Sequence, residues 1–175
     1  MSVPGAGGDP VDPARTRTYR WDDPAVPAAQ LGARPGIEVL RAIAAGELGG
    51  APIAATLGMT VLEVDEGRVV FGLDPQEFHY NPIGSVHGGV HATLLDSVMG
   101  CAVHSRLGAG QGYTTLDLSV RYLRPVSTAS GMLRAEGAVV SLGRRVATAG
   151  GTVTDGRGRL VATGTTSCLV MDIAV

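Results

Sequence analysis

An α+β fold, in which an antiparallel sheet wraps around one long central helix, is predicted by three features of this sequence. A hairpin pattern precedes a nearly uncharged apolar stretch of helical length. Four strand-like runs joined by tight turns follow that stretch, and the hydrophobic period changes from helical to alternating between the two. The chain has 175 residues, is 45% hydrophobic and has a mean hydropathy of +0.21, enough to bury a core in one domain with appendages.

Residues 1 to about 35 carry Pro4, Pro10, Pro13, Pro24, Pro27 and Pro35 among glycines and alanines. That density argues against regular helix or central strand and predicts an arm. Tyr19 and Trp21 are candidates to anchor it on the body or on a neighbouring subunit, the alternative being a loose tail. Residues 1–50 are expected to form this N-terminal arm with a short helix, and residues 51–175 the folded domain. Ile37, Leu40, Ile43 and Ala44 fit one face of that short helix, and 52–58 reads as another, with Pro52 at its first position and Gly58 past its end.

Val61–Val64 and Arg68–Leu73, split by Asp65-Glu66-Gly67, predict a hairpin. Val90–His104 predicts a helix buried on nearly all sides. Beyond it Leu116, Leu118, Val120 and Tyr122 alternate with Thr115, Asp117, Ser119 and Arg121, the signature of a half-buried strand. It ends at Arg124-Pro125, and further strands are expected at 132–141, 146–154 and 160–171, connected by Leu142-Gly143-Arg144-Arg145 and Asp155-Gly156-Arg157-Gly158.

Several function classes are disfavoured by composition. The 14 basic residues, all arginine, and 16 acids are spread without a long run of either sign, so no nucleic-acid footprint is present. Cys101 and Cys168 have neither metal-ligand nor disulfide-framework spacing and read as buried thiols. The N-terminus lacks a basic, apolar leader and no apolar run reaches about 18 residues, which predicts a cytoplasmic protein without a membrane partner. His87 and His91 at i, i+4 lack the glutamate of a zincin site, and Gly-x-Ser-x-Gly, Rossmann and P-loop motifs do not occur.

The stretch from Phe78 to Ser105 holds one formal charge, Asp96, eight residues after Gly88. Thr93, Asp96, Ser97, Gly100 and His104 fill the one polar or small sector of the helix. Ala92 and Gly100, one turn before and after the acid, leave room for a ligand atom or water. A carboxylate there loses solvation at a cost of several kcal/mol, so it serves function, reaches a subunit boundary, or pairs with a cation such as Arg106 or Arg121. At the helix start, His87-Gly88-Gly89 lets backbone approach closely and leaves first-turn N–H groups free for a negative oxygen, an oxyanion hole in prospect.

Asn81-x-x-Gly84-x-x-His87-Gly88-Gly89, then Thr93-Leu94-Leu95-Asp96, then the run from Thr115 to Pro125 resemble the PaaI-type branch of the hotdog-fold acyl-CoA thioesterases. The resemblance covers about Ile53 to Val170. It implies the hotdog fold and a homodimer with edge-to-edge sheets, or a homotetramer built as a dimer of dimers. Interfacial active sites would then set the Asn/His-Gly segment of one chain opposite the helical acid of the other. Carried over, Gly88 N–H would hold the developing oxyanion, Asn81 and His87 would shape that site, and Asp96 would act as general base or as nucleophile forming an anhydride. Thr115 would help hold the water, with Thr114 taking that place if the strand is bulged. The substrate would be an acyl- or aryl-CoA, its pantetheine arm running between subunits. Gly89 would contribute to binding, and Arg144 and Arg145 would lie near the nucleotide phosphates unless they are solvated turn residues. The thiolate is a good leaving group, so no metal or bound cofactor is required. A non-catalytic hotdog acyl-CoA-binding protein is the alternative, separated by the buried acid that only a hydrolase needs. A hotdog hydratase fits the helix start less well.

Overall fold

The computed structural model describes residues 15–173, apart from the side chains at positions 28, 31 and 32. The expectation for residues 1–14 lies outside the described residues. In chain order the elements are α1 (Ala25–Ala33), α2 (Gly36–Ala44), α3 (Pro52–Leu57), β1 (Met59–Asp65), β2 (Arg68–Leu73), α4 (Gly88–His104), β3 (Gln111–Tyr122), β4 (Leu133–Leu142), β5 (Val146–Thr154) and β6 (Leu160–Asp172).

Helix α1 corrects the expectation that prolines exclude regular helix before residue 35. Pro24 is its N-cap and Pro27 lies in its first turn, where backbone N–H groups have no intrahelical acceptor and a missing donor costs nothing. Pro35 then separates it from α2, which seats Val39, Leu40 and Ala42 in the interior. Helix α3 has Pro52 at its start and ends on Gly58, whose φ of 71° is the left-handed cap conformation glycine adopts freely.

The six strands form one sheet in the order β1-β2-β4-β5-β6-β3, with every neighbouring pair antiparallel. The hairpin β1-β2, the long helix and the four strands after it are those the sequence patterns predict; the return of β3 from α4 to the far edge beside β6 is set by the fold. The sheet curls around α4, whose Leu94, Leu95, Val98 and Met99 are wholly buried against it. At roughly 1.5–3 kcal/mol for each large apolar side chain removed from water, this helix is the centre of the core. Close approach is enforced at Gly137 on β4, where a Cβ would sit 2.4 Å from the carbonyl group of Val98. The architecture is the hotdog fold. No helix among the described residues is long and apolar enough to cross a membrane.

One strand departs from its predicted burial. β3 is an edge, and Leu116, Leu118 and Tyr122 are exposed in the single chain, Leu116 at 58%. The alternating pattern marks a face that this chain alone does not cover.

Candidate active site

The approach to α4 is a loop built by Asn81. Its Oδ1 accepts from the N–H groups of Ile83 (3.1 Å) and Ser85 (3.2 Å), and its Nδ2 donates to Ser85 Oγ at 3.1 Å. Asn81 thus closes the turn on itself, as asparagine does when it mimics a backbone turn. The loop delivers His87 to the N-cap of α4, its N–H donating to His79 O at 2.8 Å.

His87 Nδ1 accepts from Gly89 N–H at 2.9 Å, which orients the ring and occupies that donor. The Gly88 N–H has no acceptor among the described residues. It stands at the positive end of a helix of 17 residues, where a free N–H attracts a negative oxygen. Tyr122 packs over Gly88 and donates its hydroxyl to Gly88 O at 3.1 Å, and a Cβ at Gly88 would lie 3.0 Å from the Tyr122 ring. A side chain at position 88 would require that ring to give by a few tenths of an ångström. A hollow of about 390 Å³ opens here, edged by Asn81, Ser85, Gly88, Tyr122 and Arg124.

Further along α4, Asp96 is half-buried, and Thr115 Oγ1 donates to its Oδ1 at 2.9 Å. The second oxygen, Oδ2, has no partner among the described residues. Neither arginine considered for it is paired with it: Arg106 Nε meets Glu66 Oε1 at 3.1 Å, and Arg121 forms no ion pair among the described residues. The strand does carry a bulge, at Leu116, since Thr115 pairs with Cys168 and Asp117 with Ser167. The extra residue falls after Thr115, so Thr115 faces α4 while Thr114 is exposed.

The room expected beside Asp96 is partly taken. A Cβ on Gly100 would lie 2.5 Å from the Tyr113 hydroxyl, so that ring fills the space the glycine leaves. Burial raises the Tyr113 phenol well above its ordinary value, with the Cys101 and Cys168 thiols and Asp96 adding to it. Burial also pushes the Cys101 thiol up to about 12, with a smaller push from Asp96, so this cysteine stays protonated and unreactive. Gly100 and His104, grouped with the polar sector by sequence, are buried. His91 and His104 are held below the usual imidazole range by burial and are neutral at pH 7. Among the described residues no group of three or more His, Cys, Asp or Glu is placed to hold a metal ion.

The chain therefore gathers its site residues into three places. Asn81, His87, Gly88 and Gly89 share the start of α4, Asp96 and Thr115 meet near its middle, and Arg144 and Arg145 border a separate hollow of about 450 Å³ with Gln111, Met171 and Asp172. Tyr113 and Tyr122 were not singled out from sequence. Their place on β3 was legible, but nothing in one strand's pattern tells which helix residues its rings will cover.

A thioesterase superfamily family model matches residues 83–162. The structure of a candidate thioesterase from Ralstonia eutropha, described as a phenylacetic acid degradation-related protein, is 31% identical. It has a TM-score of 0.67 and covers 74% of this chain and 97% of that one. The chain belongs to the thioesterase superfamily. Among curated proteins, a candidate esterase of Halobacterium salinarum is 38% identical over 98 residues, 53% of this chain and 63% of the relative. Human acyl-coenzyme A thioesterase 13 is 30% identical over 67 residues, 38% of this chain and 47% of the relative. The matched segments thus span about half to three-fifths of those curated relatives' length.

Proposed function

We propose that this protein is an acyl-CoA thioesterase that hydrolyses an acyl- or aryl-CoA thioester to the free acid and coenzyme A, working as a homodimer or as a dimer of dimers. The observation that carries this reading is Asp96: a half-buried carboxylate on an apolar helix, held by a hydroxyl through one oxygen and unpaired with any described cation. Human acyl-coenzyme A thioesterase 13, similar over part of its length, supports the substrate class by its name.

The two halves of the chemistry belong to different chains. Gly88 and Asp96 are eight residues apart on one helix, about 12 Å of rise, too far for both to meet one carbonyl. A two-fold arrangement bringing α4 of one protomer beside α4 of the other sets Gly88 N–H opposite the partner's acid. It also covers Leu116 and Leu118 on the exposed edge strand, which a lone chain would leave open to unwanted pairing.

Gly88 N–H then polarises the thioester carbonyl, and the helix start favours the negative oxygen as it develops. Water attacks the carbonyl carbon while Asp96 Oδ2 takes its proton, Thr115 holding Oδ1 so that the free oxygen faces the reactants. Collapse of the tetrahedral intermediate breaks the C–S bond, and the thiolate leaves and takes up the proton. In the second route consistent with the same geometry, Asp96 attacks directly, expels the thiolate and forms a mixed anhydride that water hydrolyses. Asn81 and His87 hold the loop and ring that shape the oxyanion site. Gly89 N–H fixes His87, and Arg144 and Arg145 meet the nucleotide phosphates at the outer end.

A panel of short, medium, long and aryl CoA esters tests the reading. At least one ester is expected to turn over, with Asp96→Asn reducing the rate at least about 10²-fold, as loss of a positioned base does. Turnover undiminished in that variant removes Asp96 from the chemistry.

A further inference from the structure

Two hollows flank the start of α4. One is edged by Asn81, Ser85 and Arg124 and includes Gly88 itself. The other, about 640 Å³, is walled by Tyr19, Ile53, Leu57, Phe78, Val90 and Thr93 and runs up to His87 and Gly89, the neighbours of Gly88. Its size is that of a small-molecule pocket, roughly 300–1,000 Å³. Two of its apolar side chains remain turned to water, Phe78 at 52% exposure and Ile53 at 46%.

Part of this wall comes from the arm, outside the stretch matched by the thioesterase family. Arg17 is its clamp. The guanidinium donates to Ala55 O at 2.8 Å and to Thr56 O, carbonyls in the last turn of α3, where a cation is favoured. It stacks 4.2 Å from the centroid of Phe78 and 4.8 Å from that of Tyr19. Arg15 adds an ion pair with Glu77 at 3.1 Å, and Tyr19 leans on Trp21 with ring centroids 5.8 Å apart. The arm is thereby held across α3 and the turn Glu77–His79, with Tyr19 facing the hollow.

We propose that the arm, clamped by Arg17, completes the pocket for the acyl tail, and that Tyr19 and Ile53 set the tail length the protein accepts. The inference rests on the thioesterase reading for its ligand class. An apolar tail suits this hollow because Arg17, the one arginine or acid lining it among the described residues, is already satisfied by carbonyls and aromatic faces. A tail attached to a carbonyl at Gly88 reaches it directly, past Gly89.

The test uses the full chain and non-hydrolysable acyl-CoA analogues in which a methylene replaces the thioester sulfur, so binding is read apart from catalysis. Calorimetric affinity of the unaltered protein is expected to rise by about fourfold per added methylene until the hollow is filled. Ile53→Trp occupies the hollow. It is expected to weaken the longest analogue by at least about tenfold and to leave the shortest within about twofold. Arg17→Ala combined with Tyr19→Ala opens the wall and is expected to flatten the dependence on tail length. All three positions are on or near the surface, and far-ultraviolet circular dichroism checks that each variant is folded. A length dependence unchanged in Ile53→Trp overturns the pocket, and one unchanged in the arm variant overturns the arm's part in it. If the variants behave as expected while Asp96→Asn still hydrolyses thioesters normally, the pocket stands and the hydrolytic role of Asp96 falls.

Discussion

Thr115 Oγ1 and Asp96 Oδ1, nineteen residues apart in sequence, lie 2.9 Å apart across the gap between β3 and α4. The bond directs the carboxylate and leaves its second oxygen open. Thr115→Val is expected to lower kcat about tenfold with KM nearly unchanged, while Thr115→Ser, which keeps the donor, retains most of the rate. Equal losses in both variants, measured on the best CoA ester, count against a positioning role for the hydroxyl.

The proposed sharing of each site between two chains makes a prediction about mixtures. In the proposed dimer, Asp96→Asn removes the base and Gly88→Pro removes the N–H donor at a helix position that tolerates proline, so each homodimer loses every site, but a mixed dimer keeps one intact pair, Gly88 of one chain with Asp96 of the other. Random mixing by co-expression is expected to restore about a quarter of normal activity. Sites contained within one chain would restore none.

Packing of the sheet on α4 depends on Gly137, whose added Cβ would strike the backbone of Val98 and Met99 at 2.4–2.6 Å. Backbone cannot swing aside as a flexible side chain can. Gly137→Ala is expected to destabilise the protein by about 1–3 kcal/mol in urea unfolding, the range for overpacking a filled core. A midpoint equal to that of the unaltered protein contradicts this close contact.

Three histidines link stability to pH. Burial is the chief cause holding His79, His91 and His104 below the ordinary imidazole value, so the unfolded chain binds more protons than the folded chain in mildly acidic solution. Their contribution is fully present above about pH 6.5, the unfolded value, and is lost as pH falls through the lower folded values. The thermal midpoint is therefore expected to drop below about pH 6.5, and His104→Phe to make that drop shallower. A slope unaltered by the substitution removes His104 from the effect.

Local chemistry made much of the fold legible. The i, i+4 apolar pattern of 90–104, the alternation of 115–122 and the turn residues at 65–67, 142–145 and 155–158 each specify an element through contacts within a few residues. Pro52 and Gly58 mark the two ends of α3 in the same way. The arm was harder to read. Pro24 and Pro27 occupy positions where a helix needs no donor, which proline density alone does not reveal, and the partners of Arg17 lie at positions 55, 56 and 78, far from it in sequence.

By itself the sequence determined that an acid would sit alone on an apolar helix behind a His-Gly-Gly start, because periodicity and helix-end chemistry are local properties of the chain. Only the tertiary structure decided that Thr115 rather than Thr114 reaches Asp96, that Tyr113 fills the space at Gly100, that Tyr122 roofs Gly88, and that Arg17 clamps the arm beside the helix start. Each of those contacts depends on strand register, the place of a bulge or the path of a distant segment, and these are fixed by how the whole sheet closes on its helix.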